Sequence, residues 1–387
     1  MPRFSHRSGF IAEPNALTLA LDERRRRGSP ILDLTVSNPT RARLPYDRAT
    51  ILSALADERA LTYEPDPFGA PSARAALSDD LRSRGLDAGA ERIVLTASTS
   101  EAYGLAFKLL CDPGDEVLVP APSYPLLEHL ARLESVRMRP YRLAYDGAWH
   151  VDLGSVKSAV TERTRAVVCV HPNNPTGSFL SRSELAGLAG LGLPILSDEV
   201  FSAYAWREDP ARARSALEIE EGLVIAFDGL SKLAALPQLK LGWMVLGGSA
   251  PLVSEARARL ELIADSYLSV NTPVQLALPS ILRSAEGTRR AILARVLENR
   301  RRVIERARDS PVTLLHAEGG WYAVLRLPRT LGEDEWVLGL IERGVWVQPG
   351  YFYDFDDEAF VVVSLLTPED ELDAGMVELV SFVTARS

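Results

Sequence analysis

This 387-residue chain has 39 arginines but only four lysines, Lys108, Lys157, Lys232 and Lys240. Arginine can carry surface charge, but it cannot shed a proton and attack a carbonyl as a lysine amine can. Lys232 and Lys240 lie eight residues apart around one loop that follows the apolar run 223–227. An amine that is partly desolvated and close to a second cation has its pKa lowered towards that of a nucleophile. Two surface lysines with solvated heads are the other reading, but the apolar, proline-containing sequence between the pair fits it poorly.

Other polar groups follow the ends of the preceding apolar runs, where open α/β sheets bind their ligands. Ser98, Thr99 and Ser100 come after 92–95 and can hold an anion on the first turn of a helix, or simply cap it. Tyr124, set between Pro122 and Pro125, offers a stiffened ring that can stack on a planar ligand. In His171-Pro172-Asn173-Asn174-Pro175-Thr176-Gly177 two prolines and a glycine fix a turn, so the amides can project as donors. Asp198 ends the run that begins at Pro194, and a carboxylate there requires a cation or several hydrogen bonds. An arginine could supply that pairing for purely structural reasons. Together the anion cradle, ring, amide, carboxylate and amine meet the requirements of pyridoxal 5′-phosphate. The lysine would form an imine, the carboxylate would keep the pyridine nitrogen protonated, and the phosphate would rest on the helix start.

The elements that must position these groups alternate between short apolar runs (92–95, 116–119, 166–170, 194–196, 223–227 and 241–246) and helical stretches (99–110, 125–133 and 183–191). That alternation predicts an α/β domain with a mainly parallel central sheet flanked by helices. A long amphipathic segment, 285–308, is followed by strand-like runs at 312–315, 321–327, 345–348 and 360–365 and a helix over 368–384. These predict a smaller α+β domain. The expected division is an N-terminal segment, 1–45, packing with the small domain, a large domain over 46–282 and the small domain over 283–387.

A net charge of −9 gives no footprint for nucleic acid or an anionic membrane. The run Arg24 to Arg27 follows an apolar-periodic stretch and precedes Gly28, so it reads as the last turn of a helix. Cys111 and Cys169 sit in apolar runs and read as small core residues, which fits a reducing, cytoplasmic setting. Neither a secretory signal nor an apolar run of about 18 residues is found.

From Tyr63 to Gly350 the chain resembles the class I/II aminotransferases of fold type I. The resemblance rests on Asn-Asn-Pro-Thr-Gly at 173–177, Asp-Glu-Val at 198–200 and Ser-Lys at 231–232, in the family's order and spacing. It implies that Lys232 is the Schiff-base lysine, Asp198 the partner of the pyridine nitrogen, Asn174 the donor to the ring hydroxyl and Tyr124 the stacking ring. Ser98, Thr99, Ser100, Ser231 and Lys240 would surround the phosphate. Tyr63 is similar to a tyrosine that reaches the neighbouring subunit's phosphate, which implies a homodimer with shared active sites. The implied activity is ping-pong transfer of an amino group from a donor to a keto acceptor. A β-lyase or a cyclising enzyme of the same fold is the alternative.

Three positions depart from the family pattern. Phe201 replaces a tyrosine that would reach the ring hydroxyl, and Lys240 replaces a forked arginine on the phosphate. Val362 stands where the family carries the arginine for the substrate's α-carboxylate. Arg41, Arg43 and Arg326 are the candidates for supplying that charge instead, and Trp321, Tyr322, Tyr351 and Phe352 are the candidates for anchoring a larger substrate.

Overall fold

The apolar runs in the middle of the sequence become one eight-stranded sheet in the computed structural model, which describes residues 4–10, 13–357 and 359–387. Its strand order is Ile93–Thr96, Gly242–Gly248, Leu223–Gly229, Ile195–Asp198, Thr164–Val170, Glu116–Ala121, Arg137–Tyr145 and Trp149–Val151. Gly242–Gly248 runs antiparallel to both its neighbours, Trp149–Val151 is antiparallel to Arg137–Tyr145, and the remaining pairs are parallel. Every residue of Leu223–Gly229 is buried, as expected for a strand covered by helices on both faces. On one face, Val117, Val168, Leu196 and Phe227 pack with Ala102, Ala106 and Leu260. These come from helices Thr99–Leu110 and Ala250–Asp265. From Glu116–Ala121 the chain goes to one side for Arg137–Tyr145 and returns on the other for Thr164–Val170. The crevice that opens at such a reversal lies between the loops carrying Tyr124 and Asn174.

The C-terminal part is an antiparallel sheet in the order Thr313–Leu314, Tyr322–Arg326, Phe360–Ser364 and Gln348–Pro349. Helices Glu333–Glu342 and Glu369–Thr384 back it through Trp336, Leu340, Leu372 and Leu379, and Leu17, Leu21 and Leu34 of the N-terminal segment share this core. The run at 345–348 is divided. Val345–Trp346 pairs in parallel with Leu32–Asp33, while Gln348–Pro349 joins the larger sheet.

Helix Ala16–Arg26 ends at the arginine run, and Gly28 follows at φ +66°. Arg24 grips the carbonyls of Pro30 and Glu342, while Arg25, Arg26 and Arg27 pair with acids of their own helix. Both cysteines are free, and burial pushes both thiols up to about 12.

The long amphipathic helix starts earlier than its apolar period suggests. It runs from Thr272 to Ala307, capped by the Asn271 side chain, with Pro279 inside it. Val274, Leu278, Ile281 and Leu282 pack in a core against the eight-stranded sheet and Ile292, Val296 and Val303 in the core of the C-terminal sheet, so residue 282 lies inside a continuous helix.

Candidate active site

The floor of the crevice is the start of helix Thr99–Leu110. The Ser98 hydroxyl accepts the Glu101 N–H at 3.1 Å and caps the helix, while Thr99 and Ser100 line a cavity with Tyr103, Ser123, Tyr124, Val170 and Asp198. Gly242 makes this floor possible. A β-carbon there would lie 2.9 Å from both the carbonyl carbon of Ser98 and the backbone nitrogen of Thr99, so any side chain would push the strand off the helix start.

Two carboxylates, Asp198 and Glu199, stand at the end of strand Ile195–Asp198, and their surroundings give them different roles. Glu199 is buried, and its Oε1 accepts from Ser197 Oγ at 2.8 Å, Ser215 Oγ at 3.0 Å and the Ala216 N–H at 2.8 Å. Asp198 receives only the Tyr103 hydroxyl at 3.2 Å and the Val200 N–H at 3.3 Å. Burial pushes its carboxyl from 3.8 up to about 6, against the opposing pull of those two bonds and of the Lys232 charge. Tyr103 is itself buried, its ring 4.6 Å from that of Phe227. It was not evident in the sequence, where residue 103 is one more apolar position of a helix. Its place one turn beyond Thr99, on the same helix face, is the signal that could have found it.

Lys232 stands on the single turn Leu230–Leu233. Its amine lies 5.7 Å from the ring centres of both Phe201 and Trp321. Burial lowers its pKa and Asp198 pulls it back up. The depression expected from a second cation is absent, because Lys240 is exposed, at φ +53°, and takes no part in the shift. Ser231 is half-buried on the same turn as Lys232.

Opposite lies the asparagine loop. Asn173 is structural, accepting from Ser123 Oγ and donating to Pro122 O and Thr176 Oγ1, and so ties the Tyr124 loop to its own. Asn174 is 6% exposed, and its Oδ1 has no hydrogen-bond partner in the protein. Tyr124 keeps 47% of its surface exposed at the mouth. Burial holds the Tyr322 hydroxyl above its ordinary range and Tyr124 adds to this, while the polar Ser37 and Asn174 side chains pull it back down. Ser37 reaches the site because segment 34–37 is laid along the last strand, with Ser364 donating to Leu34 O and Val36 O.

The candidates for carboxylate binding fare unequally. Val362 is fully buried between Val324 and Gln348, whose side chain accepts from the Tyr353 hydroxyl. Arg43 is occupied with Asp370 and Glu371. Arg326 is exposed, four residues along its strand from Tyr322, about 13 Å away. Arg41 is exposed on the turn Pro39–Arg41, four residues after Ser37. Tyr63 stands apart from the crevice, 75% exposed beside Tyr267 and Gln275.

These residues fit pyridoxal phosphate on three counts. A buried amide oxygen lacks a partner, a carboxyl is held high by desolvation despite two hydrogen bonds and the Lys232 charge, and the backbone N–H groups of a helix start are approached closely by a strand without side-chain obstruction.

The fold and the crevice together are those of a fold type I aminotransferase. The chain belongs to the class I and II aminotransferase family, whose profile matches residues 29–376. It is 30% identical to glutamate-pyruvate aminotransferase AlaA of Escherichia coli K12 over 304 residues, 76% of this chain and 75% of that protein. It is 28% identical to the alanine aminotransferase of Mycobacterium tuberculosis H37Rv over 284 residues, 72% of this chain and 61% of that protein. Among solved structures, an alanine aminotransferase from Pyrococcus furiosus superposes with a TM-score of 0.88 at 24% identity, covering 99% of this chain and 100% of the other. A single mutant of the Thermus thermophilus aspartate aminotransferase gives 0.84 at 24% identity, covering 98% and 100%. Among the described residues, no helix is long and apolar enough to cross a membrane.

Proposed function

We propose that this aminotransferase holds pyridoxal 5′-phosphate in the crevice on Lys232 and passes an amino group from a donor to a keto acceptor in a ping-pong cycle. The observation that carries the reading is the pairing of a desolvated amine, Lys232, with a desolvated carboxyl, Asp198, whose high pKa calls for a positive partner. When bound, the cofactor supplies an aldehyde that condenses with amines and a ring that draws electrons from the substrate Cα.

In this scheme Asp198 holds a proton on the ring nitrogen, with Tyr103 and the Val200 N–H fixing the carboxylate's direction. Asn174 and Tyr322 meet the ring hydroxyl side, and Tyr124 covers a ring face. Thr99, Ser100, Ser231 and the helix start receive the phosphate, with the exposed Lys240 as a further positive charge. Lys232, once its amine is free, moves the proton at the substrate Cα.

The E. coli relative is named for glutamate and pyruvate, and an amino acid with a keto acid is the substrate class we assign. The neutral surroundings of Val362 favour a second reading, a different carboxylate anchor or a related amine, with Arg41 best placed to contribute. The exposed Leu61, Tyr63, Leu262 and Tyr267 fit a second copy of the chain, and we assign a homodimer acting in the cytoplasm. The test is conversion of the bound cofactor to its pyridoxamine form by amino donors, read by absorbance and mass. Release of an eliminated fragment without that conversion would replace transamination by a lyase.

A further inference from the structure

The turn that carries Lys232 is only four residues long, Leu230–Leu233, and one isolated helical turn does not hold its own shape in water. It leaves the helix through Ala235 at φ +58°, so no continuing helix donates to its last carbonyls; Lys232 O receives the Ala235 N–H at a long 3.3 Å, and shorter bonds must come from outside donors. Two tyrosine hydroxyls supply them. Tyr204 donates to the carbonyl oxygen of Lys232 itself at 2.6 Å, and Tyr46 donates to that of Ala235 at 2.9 Å.

Tyr204 belongs to the segment that starts at Asp198. It closes the 3₁₀ turn Ser202–Tyr204 directly after Phe201, and it is fully buried. Its ring lies 5.0 Å from that of Trp321 at 67°, and Trp321 is in turn one of the two rings flanking the Lys232 amine. Its own carbonyl accepts the Gly320 N–H at 3.0 Å, at the entrance to the small domain's central strand. Around its side chain stand Arg289, Asp228 and Tyr46, and burial keeps the phenol protonated and able to donate throughout the working range. One residue therefore joins the carboxylate segment, the lysine's main chain and the small-domain strand.

We propose that Tyr204 is a positioning residue for the amino-transfer step, fixing the main chain of Lys232 so that its amine stays between Phe201 and Trp321 and opposite Asp198. The proposal rests on the assignment of Lys232 as the reacting amine. Removing the hydroxyl leaves Lys232 O with the longer Ala235 N–H bond and so loosens the turn without touching any group at the reacting atoms. The loss should fall on turnover and on the amine's surroundings, leaving substrate affinity alone.

The experiment compares Tyr204→Phe with Tyr46→Phe in the holoenzyme. Each loses one tyrosine-to-carbonyl bond, the first on the turn at Lys232 and the second just past its end at Ala235, so the second measures what lost stability alone does to activity. Tyr204→Phe should lower kcat about tenfold, equivalent to about 1.4 kcal/mol, with KM for the amino donor within about twofold. It should also raise the midpoint at which the visible band titrates with pH, because a loosened amine gains solvent. Tyr46→Phe should change neither by more than about twofold. Equal effects in the two variants, or a Tyr204→Phe enzyme with unchanged kcat and midpoint, overturn the proposal. Borohydride reduction followed by peptide mapping separates the two levels of inference. An adduct on a lysine other than Lys232 removes the underlying assignment, whereas with the adduct on Lys232 the kinetic comparison decides whether Tyr204 positions it.

Discussion

Replacing Asp198 by Asn keeps the shape of the side chain and removes the charge, so it weighs that charge with and without a partner. Burial raises the carboxyl from 3.8 to about 6, which corresponds to about 3 kcal/mol between its two protonation states. In cofactor-free protein the native state holds the proton more tightly than the unfolded chain. The stability this confers is fully present below about pH 4 and is lost as pH rises towards and through about 6. Cofactor-free Asp198→Asn carries no such group. Its melting temperature should exceed that of the wild type at pH 8, and the gap should narrow as pH falls towards 4.5. With cofactor bound the sign reverses. A ring cation that returns Asp198 to its ordinary value is itself held protonated by the same free energy, because coupling is reciprocal. Its removal should lower kcat by at least about 100-fold, the equivalent of about 3 kcal/mol. The assays are thermal melting of the cofactor-free pair across pH and single-turnover conversion of the holoenzyme. A variant that keeps kcat within about threefold, or whose melting curve follows the wild type's pH dependence, refutes the argument that this carboxyl waits for a cation.

Two further outcomes follow from the crevice and the surface. With Val362 buried beside Gln348 and no arginine in its place, replacing each amino acid donor by its decarboxylated amine should cost well under the hundredfold in kcat/KM that a lost charged pair entails. A full hundredfold loss, itself lost again on Arg41→Ala, would make Arg41 the anchor. The exposed Leu61, Tyr63, Leu262 and Tyr267 predict a dimer by sedimentation at assay concentration, and a fully active monomer contradicts it.

The sequence showed the chemistry more clearly than the edges of the elements. Helix Thr99–Leu110 could be read to the residue because a hydroxyl cap and an apolar period coincide there. Strand Arg137–Tyr145 was hidden because it lies next to the sheet edge and alternates Arg137, Arg139 and Arg142 with apolar residues around Pro140, which resembles a loop. The first turns of helix Thr272–Ala307 were obscured by Pro279, although Asn271 and Pro273 are a cap and first-turn proline in plain view. Within the site, Lys232, Asp198 and Asn174 stand out because polar groups at the ends of apolar runs demand a reason. Tyr103, Tyr204 and Ser37 do not, since their roles arise from tertiary contacts across 95, 28 and more than 280 residues.

The same helix sets the mechanics of the molecule. At 36 residues it is a rod of about 54 Å, clamped in one core through Val274 to Ala285 and in the other from Ile292 onward. Two cores threaded by one continuous helix do not swing as on a free hinge. They flex against a spring whose unclamped span is the short stretch 286–291, steadied there by the Thr288 hydroxyl on Pro45 O at 2.8 Å. Within that span Gly287 has no neighbour that a β-carbon would meet. The span therefore contains a soft point outside both cores, where glycine gives up about 1 kcal/mol of helix preference relative to alanine. Stiffening it with Gly287→Ala would raise the spring constant between the two halves of the crevice without altering a single group inside it.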